Sequence, residues 1–174
     1  MIDPASMVNR PAPGRDCGSC TLCCKVYDVP AVESVAGSWC RHCLPGRGCA
    51  IHETRPAHCR AFFCLWMTQG FLGPEWKPDK ARFVLTMDPG TGWIFLQADP
   101  GAAQAWRKEP YQSQLRRWAQ AGNRPVIVFV NRLATALLPD HEVQLGMIGP
   151  ADRLALREEP AGGRLRMTVV KLAA

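Results

Sequence analysis

The sequence lacks several features that would assign it to a common functional class. Its 174 residues include no run of 18 or more apolar residues, so no membrane-spanning helix is predicted. It has no glycine-rich phosphate-binding motif, no H-E-x-x-H zinc-protease motif and no G-x-S-x-G hydrolase motif. Its basic residues form no block of five or six, the pattern typical of nucleic-acid-binding tails. Cysteine is therefore the residue whose distribution carries functional information.

The start of the chain has no basic segment followed by an apolar stretch, so we expect no signal peptide and a cytoplasmic location. In a reducing compartment, thiols stay free for metal or redox chemistry. The formal net charge is +6. Eight metal-bound thiolates with two divalent ions would lower this charge to about +2. We therefore expect no membrane or nucleic-acid partner, and an unidentified protein partner stays open.

All nine cysteines lie within the first 64 residues. A disulfide framework normally has an even number of cysteines spread over a secreted chain. An odd, clustered set in a reducing compartment instead favours metal binding. The candidate metal ligands are Cys17, Cys20, Cys23, Cys24, Cys40, Cys43, Cys49, Cys59 and Cys64.

The spacing of these cysteines favours zinc. The run that begins at Cys17 reads C-x2-C-x2-C-C, and Cys40 and Cys43 form a second C-x2-C pair. A C-x2-C turn directs two sulfurs at one ion, and two such turns complete a tetrahedral zinc site. Neighbouring side chains in an extended segment point to opposite sides. We therefore expect Cys23 and Cys24 to serve different ions, or one of them to be a spare ninth thiol.

An iron–sulfur cluster is the alternative cofactor. The first three cysteines match the start of the bacterial ferredoxin run, C-x2-C-x2-C-x3-C-P. The fourth ligand position is Tyr27, however, and no proline follows it. The missing thiolate would have to come from farther along the chain, from Cys49, Cys59 or Cys64.

Three further motifs accompany the cysteines: W-C-R-H-C at 39–43, G-R-G-C-A-I at 46–51 and E-T-R-P-A-H-C-R-A-F-F-C-L-W at 53–66. With these motifs, residues 17–66 resemble the YkgJ-type family of cysteine-cluster proteins, described as a zinc- or iron-chelating C-x2-C-x2-C-C domain. The family pattern has tyrosine where this chain has His52. The resemblance implies a cysteine-ligated metal site. Some members are labelled iron–sulfur oxidoreductases on the motif alone.

Several residues near the cysteines have two interpretations. Each histidine is either an extra ligand or a polar turn residue, and each aromatic side chain either shields a redox cluster or belongs to the local core. Arg55 and Arg60 either donate hydrogen bonds to thiolates or cap a turn. No carboxylate or histidine has a partner at a catalytic spacing, so no catalytic residue is assigned and enzymatic activity stays open. The histidines are His42, His52 and His58, and the aromatic residues are Trp39, Phe62, Phe63 and Trp66.

Composition divides the chain into three parts. Residues 1–16 are rich in proline and are expected to form a flexible tail. Residues 17–66 contain so many glycines and prolines that only turns and short helices are expected, with one helix around 51–63 that has Pro56 in its first turn. Such a region buries little apolar area, so a metal would replace part of its core. Residues 67–174 are expected to form an α+β region packed with it.

Strand patterns dominate the C-terminal part. Turn-forming residues at 88–92 and 159–163 predict two hairpins, and a proline followed by an amphipathic pattern predicts a helix. The fold class is therefore α+β: a cysteine-rich, metal-bound N-terminal segment packed on a mostly antiparallel sheet with one longer helix. The predicted strands are 81–87, 93–97, 125–130, 142–148, 153–158 and 164–172, and the predicted helix is 110–121.

Overall fold

The protein is described by a computed structural model over residues 10–172. This part of the chain has five α-helices, α1 (Cys23–Val26), α2 (Ala57–Ala61), α3 (Leu65–Thr68), α4 (Pro78–Ala81) and α5 (Tyr111–Gly122). Its strands are β1 (Cys43–Leu44), β2 (Gly48–Cys49), β3 (Phe83–Met87), β4 (Ile94–Ala98), β5 (Val126–Val130), β6 (Leu133–Leu137), β7 (Glu142–Met147), β8 (Arg153–Ala161) and β9 (Arg164–Leu172). Short 3-10 helices lie at Pro30–Val32, His52–Thr54, Pro74–Trp76, Pro100–Ala102 and Ala105–Arg107.

Five strands form the main sheet, in the order β3-β4-β5-β6-β7. Three of its four strand pairs are antiparallel, which confirms the predicted mostly antiparallel sheet. β4 and β5 run parallel, with Ile94 opposite Val126, because the chain between them crosses one face of the sheet through α5. The hairpin of β3 and β4 forms around the predicted turn.

Helix α5 forms where a helix was predicted, and it covers one face of the sheet. Leu115 and Ala119 are fully buried there, and Tyr111 and Trp118 pack against the same core. The rings of Trp76 and Tyr111 meet edge to face, with centroids 5.0 Å apart. This aromatic core gives the sheet a source of stability that does not depend on the cysteines.

The opposite face of the sheet is covered by two different parts of the chain. Strands β8 and β9 form the predicted last hairpin, and Val169 of β9 packs on Ile127, Ala134 and Ala136. The cysteine-rich region covers the same face at the β3 edge, because Val84 points away from the α5 side. Val84 packs there with three buried residues of that region, Leu22, Val26 and Cys64, and with Met67 of α3.

Two predictions about local structure were incomplete. The expected helix at 51–63 is a 3-10 turn followed by the five-residue α2, and Pro56 precedes α2 instead of lying in its first turn. Strand β6 was not predicted, since its sequence, Leu-Ala-Thr-Ala-Leu, contains a single β-branched residue. It forms because it pairs with β5 on one side and β7 on the other.

The residues before the first cysteine contact the rest of the chain. Ala12 N–H donates to the carbonyl of Met67 at 2.8 Å. The Arg15 guanidinium donates to the carbonyls of Trp66 and Leu72 and lies over the Trp66 ring. Residues 1–9 of the expected tail lie outside the described residues. Between residues 10 and 172, no helix has the length and apolar character needed to cross a membrane.

Candidate metal centre

Both C-x2-C pairs form tight turns closed by a backbone hydrogen bond. Cys20 N–H donates to the Cys17 carbonyl, and Cys43 N–H donates to the Cys40 carbonyl, each at 2.8 Å. Gly18 has a φ of +51°, a left-handed conformation that glycine adopts with the least strain. The sequence therefore places two thiols on each of two short turns.

Backbone hydrogen bonds hold the second turn against α1. Cys40 N–H donates to the Cys24 carbonyl at 2.9 Å, and Gly37 N–H donates to the Lys25 carbonyl at 2.7 Å. The hydroxyl of Thr21 accepts a bond from Gly46 N–H at 3.1 Å. These three bonds bring the Cys40–Cys43 turn beside the first four cysteines, although about 20 residues separate them in sequence.

The remaining cysteines are brought in by three small elements. Cys49 on β2 lies directly opposite Cys43 on β1. Cys59 lies in the middle of α2. Cys64 precedes α3, where its carbonyl accepts from Met67 N–H at 2.9 Å. All nine cysteines thus share one region of the fold, and every one is a free thiol.

The electrostatic interactions among the thiols divide eight of them into two neighbourhoods. Burial, together with the thiols of Cys17 and Cys20, raises the pKa of Cys64 to about 11. Burial also raises the pKa of Cys59, and the thiols of Cys24, Cys40 and Cys49 add to this rise. Two sets of four thiols follow from these interactions. The first thiol group is Cys17, Cys20, Cys23 and Cys64, and the second thiol group is Cys40, Cys43, Cys49 and Cys59.

Cys24 interacts with both thiol groups. The neighbouring thiols of Cys23 and Cys43 lower its pKa to about 6, against the opposing effect of burial. The adjacent Cys24 thiol, together with burial, raises the pKa of Cys23 well above that of an ordinary thiol. Cys24 is therefore the ninth thiol, positioned between two sets of four.

The expectation that Cys23 and Cys24 lie in an extended segment was wrong. Both residues belong to α1, where successive side chains are about 100° apart and do not point to opposite sides. Thr21 and Leu22 make the turn that starts this helix, since Lys25 N–H donates to the Leu22 carbonyl at 2.9 Å. The two sulfurs are consequently neighbours.

The nine cysteines have the chemistry of metal ligands, but within residues 10–172 their sulfurs do not converge on a common position for an ion. Thiols supply the ligands that zinc and iron–sulfur clusters use. Among residues 10–172, however, no three cysteine, histidine or acidic side chains are placed to hold one ion together. The structure brings the thiols into two neighbourhoods without defining a coordination geometry.

The histidines near the cysteines contact other side chains. Arg41 Nε donates to His42 at 3.3 Å, and His52 Nδ1 lies 3.2 Å from a carboxylate oxygen of Glu53. Arg55 takes the second of its two predicted roles, since it donates to the His52 carbonyl at 2.6 Å. Burial raises the pKa of the Cys17 thiol, and the Arg55 charge partly opposes this rise. The guanidinium therefore both closes a turn and offsets thiolate charge.

The aromatic residues around the first thiol group form its apolar surroundings. Phe62, Phe63 and Trp66 pack on the cluster that contains Cys64, which is 8% exposed, and Cys20. Trp39, in contrast, is 42% exposed and lies beneath the Lys25 ammonium. The aromatic residues of 62–66 thus complete a local core that buries Cys64, with Cys20 half-buried at its edge.

A buried ion pair connects the cysteine-rich region to the sheet. Lys25, the residue after Cys24, donates to the carboxylate of Asp99 at 2.8 Å. Asp99 follows β4, is 1% exposed, and also accepts from Arg82 and from Gly101 N–H. Sequence reasoning missed this pair, because the two residues are 74 positions apart and neither belongs to a motif.

A cavity of about 170 Å³ lies between the cysteine-rich region and the sheet. Its walls include Asp28 from the cysteine-rich region, Phe129 from β5 and Arg132 from the β5–β6 turn. Arg132 and Asp28 are 3.6 Å apart across it. No cysteine or histidine lines this cavity, so the thiols do not open into it.

No protein-family model, curated protein or solved structure matches this chain. The resemblance of residues 17–66 to the cysteine-cluster family therefore stays a prediction.

Proposed function

We propose that residues 17–66 form a metal centre held by cysteine thiolates, with zinc as the favoured metal and a structural or partner-docking role. The observation that supports this most directly is the grouping of nine free thiols into two sets of four around Cys24. Four thiolates are the complete ligand set of a closed structural zinc site. A closed site leaves no open position for a substrate, which is why a structural role is favoured over catalysis.

The composition of the region supports the same proposal. Apart from the buried cluster on Val84, residues 17–66 are mostly turns with exposed or half-buried side chains. Small domains of this kind usually need a metal or disulfides for stability, and the cysteines here are free. Binding would require the thiols of each group to rotate toward a common point and lose their protons. Arg55 and Lys77 are placed to offset the resulting charge at Cys17.

An iron–sulfur cluster in electron transfer or redox catalysis is the second candidate. Its specific support is the apolar enclosure of Cys20 and Cys64 by Phe62, Phe63 and Trp66. Cluster potentials depend on burial and on hydrogen bonds to sulfur, so an enclosure of this kind suits a redox centre. In the first thiol group, Cys64 would then supply the fourth ligand that the ferredoxin run lacks at Tyr27.

Anaerobic purification followed by elemental analysis tests the proposal. We expect about two zinc ions per chain and a colourless protein, since zinc has a filled d shell. A brown protein that absorbs near ~400 nm and contains iron would favour the second candidate. A chain that is fully reduced, folded and free of stoichiometric metal would overturn both.

A further inference from the structure

The hydroxyl of Tyr27 is a buried polar group for which the described part of the chain provides no hydrogen-bond partner. Its oxygen is shielded from solvent, and no hydrogen bond of normal geometry reaches it within the described part of the chain. The large majority of buried side-chain polar atoms in proteins are hydrogen-bonded, so an exception needs an explanation. The Tyr111 hydroxyl provides a contrast, since it donates to the Glu75 carbonyl at 2.9 Å.

The Tyr27 ring lies among the residues that enclose the first thiol group. Its centroid is 5.0 Å from that of Phe62, and both rings pack on the cluster that contains Cys64. Burial raises the pKa of Tyr27, and the thiols of Cys23 and Cys64 raise it further, so both sulfurs lie within electrostatic reach of the phenol oxygen. Thr86 of β3 lowers that pKa, which is the effect of a donor. Among residues 10–172, no group lies at hydrogen-bond distance and angle from the phenolic oxygen, so its proton is free to be donated to a nearby sulfur.

We propose that Tyr27 is a positioning residue of the first thiol group, whose O–H donates a hydrogen bond to the metal-bound thiolate of Cys23 or Cys64. The inference rests on the proposed metal centre and adds a named donor to it. A thiol is a weak acceptor, whereas a thiolate in apolar surroundings requires donors to offset its charge. Tyr27 supplies such a donor without introducing a second charge into the enclosure. Donors of this kind orient metal ligands and tune the metal they hold.

The Tyr27→Phe variant tests this role, with Tyr111→Phe as the matched control. Both changes remove one phenolic oxygen from a ring in an aromatic cluster, but only Tyr27 adjoins the thiols. The purified full chain is stripped, loaded with Co²⁺, and titrated against a chelator. We expect Tyr27→Phe to weaken one of the two metal equivalents by about tenfold to a hundredfold. We also expect a shift of the thiolate-to-cobalt charge-transfer band, and neither change in Tyr111→Phe.

Three other results of this experiment would each refute a different part of the proposal. If Tyr27→Phe binds Co²⁺ with wild-type affinity and an unshifted band, the hydrogen bond to sulfur is refuted while the metal centre stands. If the variant is also less stable than Tyr111→Phe in the presence of chelator, its effect comes from packing, and the assignment is again refuted. If the wild-type chain takes up no stoichiometric Co²⁺, zinc or iron, the proposed function fails and this inference fails with it.

Discussion

Replacement of Asp99 by asparagine should destabilise the protein by about 3 kcal/mol. The change keeps the shape of the side chain but leaves Lys25 without its counter-ion in a mostly buried position. A hydrogen bond between charged groups contributes about 1.5–3 kcal/mol. The bond from Arg82, whose side chain is 50% exposed, adds at most about 1 kcal/mol after solvent screening. Their combined loss agrees with the lower end of the roughly 3–5 kcal/mol seen when one partner of a buried pair is removed.

Urea denaturation followed by circular dichroism measures this loss. With a slope of about 2 kcal/mol per molar urea, the midpoint should fall by about 1.5 M. The control is Glu159→Gln, which breaks the exposed pair with Arg166 at 3.4 Å and should cost less than about 1 kcal/mol. Hydrogen exchange at Gly37 and Cys40 should rise in Asp99→Asn, because their amides bond to the carbonyls of Lys25 and Cys24.

The same pair predicts a pH dependence. Burial raises the pKa of Asp99, but the bonds from Lys25 and Gly101 and the charge of Arg82 more than offset this and hold it below the ordinary range. A depressed folded-state pKa gives stability that is present above the unfolded value, about 3.9, and is lost as pH falls through the folded value. The stability difference between wild type and Asp99→Asn should therefore be constant from about pH 5 to 7 and shrink below about pH 4. A difference under about 0.5 kcal/mol at pH 7, or one that does not change in acid, would refute this reasoning.

Three further predictions follow from the same structure. Cys23→Ser should lose roughly one equivalent of metal and Cys24→Ser much less, measured by elemental analysis; equal loss in both would contradict the two-group arrangement. Chelation under reducing conditions should raise hydrogen exchange across residues 17–66 and leave β5 protected, whereas uniform loss of protection would mean that the sheet has no independent core. Leu115→Ala, at a fully buried position, should cost about 2–5 kcal/mol in urea denaturation, and Leu165→Ala, at a 68% exposed position, under about 0.5 kcal/mol.

Local patterns were sufficient to predict most of the C-terminal part. The hairpins and α5 follow from turn residues and amphipathic spacing, which are signals contained within a few neighbouring residues. Strand β6 was missed because its identity depends on the strands beside it and not on its own side chains. The parallel pairing of β4 and β5 was likewise not predicted, since it is decided by the path of the connection between them.

The candidate site was predicted in its composition but not in its arrangement. The C-x2-C spacing identifies which thiols share a turn, and these turns are present at Cys17–Cys20 and Cys40–Cys43. Spacing does not determine which separate turns lie together, because that is set by backbone bonds such as the one between Cys40 and Cys24. The roles of Tyr27 and Asp99 were also missed, as each arises from burial against residues distant in sequence.

The ion pair between Lys25 and Asp99 joins two parts of the chain that are synthesised at different times. A ribosome adds about 5–20 residues per second, so the 74 residues between the two partners take roughly 4–15 s to synthesise. All nine cysteines are complete once Cys64 has been added, so the full set of thiols precedes Asp99, the acidic residue that fixes their region to the sheet, by 35 residues. A nascent chain of this protein therefore carries its thiols before it has the sheet residues, such as Val84, against which Cys64 is buried.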